Sequence, residues 1–177
     1  MRRLILGAGL AAAIALLAGC ASSSTDTTTT SAATATTTVK PTSTTPATLS
    51  LERAARRYLE IVRPYNEALE DLERAVNSGE PLDTLTALAE ATAAANGAQI
   101  KQLKVTPWPA DVQTPVDGLI DESKQAQRYW EQAAQASTRD GLIEAIVAAG
   151  EHDGTAAASA IRELLNLKAY NENDYSG

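Results

Sequence analysis

From Leu51 onward the apolar residues recur at steps of four and three, and that spacing limits the chain to helices. Leu51, Ala55, Tyr58, Val62, Tyr65, Leu69, Leu72 and Val76 lie on one stripe of a helix running to about Asn77. No alternating strand pattern competes with it. Gly79 supplies a left-handed cap, and Pro64 removes the hydrogen bond to the Glu60 carbonyl, which predicts a kink. A second helix opens with Pro81 and runs to about Leu103, with the weaker stripe Leu82, Leu85, Ala89, Thr92, Asn96, Ile100 and Leu103.

Lys104 to Asp111 forms the longest connection, within which Thr106-Pro107-Trp108-Pro109 is expected to be stiff and extended. Trp108 reads either as a packing anchor at one end of the domain or as an exposed ligand platform. A third helix starts near Pro109 or at Pro115, with Val112, Val116, Leu119, Ser123, Ala126, Trp130 and Ala133 inward. Ser137-Thr138-Arg139-Asp140 turns the chain into a fourth helix to about Leu167, striped by Leu142, Ile146, Ala149, Asp153, Ala156 or Ala157, Ala160 and Leu164. The expected fold is all-α: an antiparallel, up-down-up-down four-helix bundle over residues 51–168, followed by a polar tail over 169–177. With no Phe, its core must be built mainly from Leu, Ile, Val and Ala.

The N-terminus has a different composition. Arg2 and Arg3 precede an apolar run from Leu4 to Leu17, and Leu17-Ala18-Gly19 leads to Cys20, the chain's single cysteine. A positive start, a short apolar run and small residues before a cut form an export signal over residues 1–19. The run, at about 14 residues, is short for a span needing roughly 20. Leu17-Ala18-Gly19-Cys20 resembles the lipobox of bacterial lipoproteins. That resemblance implies a diacylglyceryl thioether on Cys20, cleavage before it, and further acylation by fatty acids such as palmitate. Two or three chains suffice for stable anchoring at the outer face of the cytoplasmic membrane.

Residues 20–50 are mostly Thr, Ser and Ala, with Asp26 and Lys40 as their only charges. Such a segment has too little apolar surface to offset its ordering entropy and is expected to be a disordered tether. Its Thr clusters suit O-glycosylation, and a plain spacer fits equally well.

The chain also resembles a group of small, uncharacterised actinobacterial lipoproteins. The residues carrying this likeness are Pro64-Tyr65-Asn66 in the first helix and Trp108-Pro109 in the connection. The family brings no reaction with it.

Chemistry-bearing motifs are sparse. Removal of residues 1–19 takes the formal charge from −7 to −9 and eliminates the only Met, and acylation occupies the only thiol. Thiol redox chemistry is thereby excluded, and the acidic balance argues against nucleic acid. His152 is the one imidazole, flanked by Glu151 and Asp153. Adjacent helical side chains diverge by about 100°, so these three form no catalytic site by themselves and His152 is expected in solvent. No catalytic residue, metal ligand or cofactor is assigned.

Two features remain. Thr92, Ser123 and Asp153 fall at helix midpoints on inward stripes, with Asn96 one turn from Thr92 and Tyr65 beside Pro64. This polar waist reads as a binding site for a small polar or cationic ligand built on Tyr65, Asn96, Ser123 and Asp153. It reads alternatively as a layer fixing helix register, or as a phase drift that turns Asp153 to solvent. Arg53, Arg56, Arg57 and Arg63 cluster on the helix nearest the tether. They face anionic lipid or cell-wall polymer, or form a solvated face paired with Glu52, Glu60 and Glu67. The expectation is a monomeric, non-enzymatic interaction or scaffold module with an envelope-protein or cell-wall partner.

Overall fold

A computed structural model describes residues 48–170. The expected signal at 1–19, Cys20, the expected linker as far as residue 47 and the expected tail from residue 171 lie outside the described residues. Among the described residues the protein is all-helical, with five helices and no strand: α1 (Leu51–Ser78), α2 (Leu82–Val105), α3 (Ala110–Ala134), α4 (Arg139–Gly150) and α5 (Thr155–Leu164). Each of α2 and α3 packs on its predecessor, and both α4 and α5 pack on α3. No helix among them is long and apolar enough to cross a membrane.

α2 and α3 follow their stripes, whereas the buried face of α1 also takes in Ala54, Ile61 and Ala75, each one residue ahead of the stripe, and leaves Leu51 48% exposed. α1 continues through Pro64, whose ring lies on the exposed face. It ends at Gly79 (φ +75°), where the Glu80 N–H reaches back to the Ala75 carbonyl at 3.1 Å. This is the wrap-around bond that a left-handed residue permits. α2 has no such glycine, and side chains from the connection close it instead. The Thr106 hydroxyl donates to the Gln102 carbonyl at 2.7 Å, and the Trp108 indole donates to the Leu103 carbonyl at 2.8 Å. Last-turn carbonyls left open by the helix are thus satisfied. Trp108 is buried edge-on against Tyr58, so it is the packing anchor. α3 begins at the earlier of the two expected starts and carries Pro115 within its first turns.

The expected fourth helix is instead two. Its limb breaks between Gly150 and Gly154, and Gly154 adopts φ +63°. Past the break the apolar register shifts by one residue. Ile161 and Leu165 are buried, where the unbroken stripe required Ala160 and Leu164, and Leu164 is 40% exposed.

Two apolar clusters fill the interior. One gathers Tyr58, Ile61, Leu103, Trp108, Val112 and Ile161 near the start of α1. The other gathers Leu72, Leu85, Ala126, Trp130, Leu142 and Ala149 toward its end. Arg139 ties the second end together, donating to the carbonyls of Glu80 and Val76 at 2.8 and 3.1 Å.

Candidate functional site

Between the two apolar clusters lies a layer of buried polar side chains: Thr92, Asn96, Gln99 and Ser123. Their spacing puts them there. Thr92, Asn96 and Gln99 repeat at helical steps on the inward face of α2, opposite Ser123 on α3. The Asn96 amide donates to the Ser123 carbonyl at 2.8 Å and to Gln127 Oε1 at 2.9 Å. Gln99 Nε2 donates to the Ser123 hydroxyl at 3.3 Å. Thr92 shares its hydroxyl hydrogen between its own-helix Leu88 carbonyl (2.9 Å) and the Ala68 carbonyl of α1 (3.2 Å). Three helices are cross-linked at one level.

The layer is not fully satisfied. Asn96 is fully buried, yet among the described residues its Oδ1 has no hydrogen-bond partner, and neither does the indole Nε1 of buried Trp130. Unpaired buried polar atoms carry a desolvation cost of about 1–3 kcal/mol each.

Of the four residues expected in one site, Asn96 and Ser123 meet directly. Tyr65 stands apart, edge-on to Trp130 with ring centroids 6.5 Å apart. Burial pushes its phenol up to about 12, and the carboxylates of Asp153 and Glu73 add to the rise. The Trp130 N–H offsets part of that rise, although it falls short of hydrogen-bond geometry. Asp153 is exposed rather than inward. Its Oδ1 accepts the Thr155 N–H at 2.8 Å, which makes it the turn residue that restarts the chain into α5. The helix break rotates it off the stripe. Two concavities on the described surface, one beside the start of α1 and one between α2 and α3, include none of Tyr65, Asn96, Ser123 or Asp153 in their linings.

The same break repositions His152. The ring is half-buried against α3, stacked on Tyr129 with an interplanar angle of 9°, and its Nδ1 lies 3.1 Å from Glu122 Oε2. An ionised carboxylate only accepts, so Nδ1 carries the proton. Arg128 covers Tyr129 at 4.7 Å from the ring centroid. This corrects the expectation of a solvated His152. An imidazole oriented by a carboxylate is half of a general-base arrangement, but among the described residues no hydroxyl nucleophile bonds to it. Gln99, Gln127 and Glu122 were the participants the sequence reading passed over. The i to i+3 step from Asn96 and the i to i+4 step from Ser123 mark the two glutamines, whereas Glu122 required the break to be known.

Among the described residues no three His, Asp or Glu side chains group to hold a metal ion. Searches against protein-family models, curated proteins and solved structures each return no match.

Proposed function

We propose that this chain is a lipid-anchored cell-envelope protein of the lipoprotein kind, held at the outer face of the cytoplasmic membrane through Cys20. Its helical domain would serve as a non-enzymatic interaction or scaffold module, with successive limbs running up, down, up and down. The observation that carries this reading is the sequence Leu17-Ala18-Gly19-Cys20 behind Arg2-Arg3 and a short apolar run. Thr- and Ser-rich chain then separates it from the helical domain. Labelling with an alkynyl palmitate, followed by membrane fractionation, tests it. The full chain takes label and partitions with membranes, and Cys20→Ser takes none. An unlabelled wild-type chain overturns the reading.

A second reading, of a small polar or cationic ligand held at the polar layer, is favoured by one observation: the buried, unpartnered Asn96 Oδ1. A ligand donating to that atom would complete the layer. Native mass spectrometry of the full chain tests it. Extra mass that Asn96→Leu abolishes supports the ligand, and a bare mass in both proteins removes it.

A further inference from the structure

The charges of this acidic protein are unevenly distributed. Segments 49–60 and 101–108 carry five Lys and Arg against two acids, Glu52 and Glu60, whereas the rest of the described chain carries seven against seventeen. The fold brings these two segments together. The Leu49 N–H donates to the Pro107 carbonyl at 2.9 Å, and Arg57 donates to Gln102 Oε1 at 2.8 Å. Between them runs a shallow groove of about 390 Å³, with Arg53, Arg56, Arg57 and one acid, Glu60, on one wall and Val105, Thr106 and Pro107 on the other.

The arginines differ in how they are engaged. Arg57 is held by Glu60 at 3.3 Å as well as by Gln102. Arg53 has a single long contact, 3.4 Å to the Ser50 hydroxyl. Arg56 has no partner among the described residues, and the expected pairs with Glu52 and Glu67 do not form. Beside these cations, Val105 is 76% exposed and Leu51 48% exposed. Lys101 and Lys104 extend the positive surface along α2. Exposed cations interleaved with projecting apolar side chains suit a surface of phosphates over hydrocarbon.

We propose that this end of the domain is a membrane-docking face that takes the anionic phosphate headgroups of a lipid bilayer. Charge complementarity is one argument; where the preceding chain joins the domain is the other. That chain enters at Leu49, on the rim of the groove. If Cys20 carries lipid, only the chain from it to residue 47 separates this end of the domain from the bilayer, which keeps this end nearest the lipid. The orientation therefore rests on the lipid-anchor reading. The acidic remainder of the domain is repelled by the same surface, so the domain stands with α1 rising from the membrane.

The test uses the full chain carrying Cys20→Ser, so that no lipid contributes, and vesicles of phosphatidylcholine with or without phosphatidylglycerol. Arg53→Gln/Arg56→Gln is expected to lower partitioning onto anionic vesicles about 25-fold, roughly fivefold per arginine, and to leave neutral vesicles unaffected. Arg57 is retained because it links α1 to α2, and unchanged helical circular dichroism shows that the pair still folds. A control pair, Arg74→Gln/Lys124→Gln, removes the same charge from outside this face and is expected to change binding less than about threefold. Equal losses from both pairs, or none from Arg53→Gln/Arg56→Gln, overturn the proposal. Arginine-dependent binding to a soluble glycerol-phosphate polymer without binding to vesicles overturns it in favour of a cell-wall polyanion. The palmitate label is scored separately on wild type. An unlabelled chain with arginine-dependent vesicle binding keeps the docking face and sinks the anchor.

Discussion

Gly154 backs directly onto Leu119: a β-carbon on its backbone would lie 2.6 Å from Leu119 Cδ1. Its φ of +63° is also in the region that disfavours every residue with a β-carbon. The break between α4 and α5 thus depends on one glycine for two independent reasons. Gly154→Ala is expected to lower stability by about 2–4 kcal/mol, from backbone strain plus overpacking. Gly150 is the contrast. It is helical, and a β-carbon there meets nothing within 4 Å. Gly150→Ala is expected to raise stability by about 0.5–1 kcal/mol. Urea melts of the two variants check both signs, and a Gly154→Ala protein as stable as wild type would contradict the strained break.

This break marks the limit of what the sequence makes legible. The first three helices were readable because their apolar residues keep one phase over many turns. Thr92, Asn96 and Ser123 were readable as a polar layer for the same reason. Beyond Ala149 the phase argument fails, because a stripe records periodicity and is blind to a residue that leaves the helix. Glycines at 150 and 154 weaken a helix there, but only the packing against Leu119 determines a full stop and restart. The stripe therefore placed Asp153 inward and His152 in solvent, whereas Asp153 takes the alternative, solvent-facing position and His152 packs against α3. Tyr65 stayed on its stripe, yet its neighbour across the interior is Trp130 rather than Asn96.

Asn96 tests how dry the polar layer is. Its amide donates to two acceptors, the Ser123 carbonyl and Gln127 Oε1. Asn96→Asp keeps the shape but sets a carboxylate against both. The expected loss is about 3 kcal/mol at pH 7, whereas Asn96→Leu should lose about 1 kcal/mol. Burial raises the folded-state value of the introduced carboxyl above its unfolded value. The Asp deficit is therefore smallest below about pH 4, near the unfolded aspartate value, and grows as pH rises through the folded one. Denaturant titrations at acidic and neutral pH measure it. A leucine variant less stable than the aspartate variant at pH 7 would show the layer to be wet.

Tyr65 predicts behaviour on the alkaline side. Its folded value is raised from 10.0 to about 12. Below pH 10 both states hold the proton and the residue contributes no pH dependence. Between pH 10 and about 12 the unfolded chain releases it while the folded protein retains it, so stability falls as pH rises through that window. Tyr65→Phe removes this part of the fall, which is read as the difference between wild-type and variant denaturation midpoints. Absorbance at the tyrosinate band should show one fewer late-titrating phenol in the variant. Parallel pH curves for the two proteins would place Tyr65 in contact with solvent.

Trp108 joins packing to helix termination. Its ring meets Tyr58 edge-on at 6.5 Å, and its indole N–H closes the Leu103 carbonyl in the last turn of α2. The two contributions separate by substitution. Trp108→Phe keeps an aromatic against Tyr58 but removes the donor, leaving a last-turn carbonyl open in a buried position, and should cost about 1–3 kcal/mol. Trp108→Ala also opens a cavity in the cluster that holds Leu103, Val112 and Ile161, raising the cost to about 3–5 kcal/mol. Hydrogen exchange distinguishes local from global effects. In Trp108→Phe the last turn of α2 and the Leu49 N–H, which bonds to the adjacent Pro107 carbonyl, should lose protection before the cluster around Trp130 does. If protection falls evenly along the chain, Trp108 acts as core volume alone and the carbonyl closure contributes little.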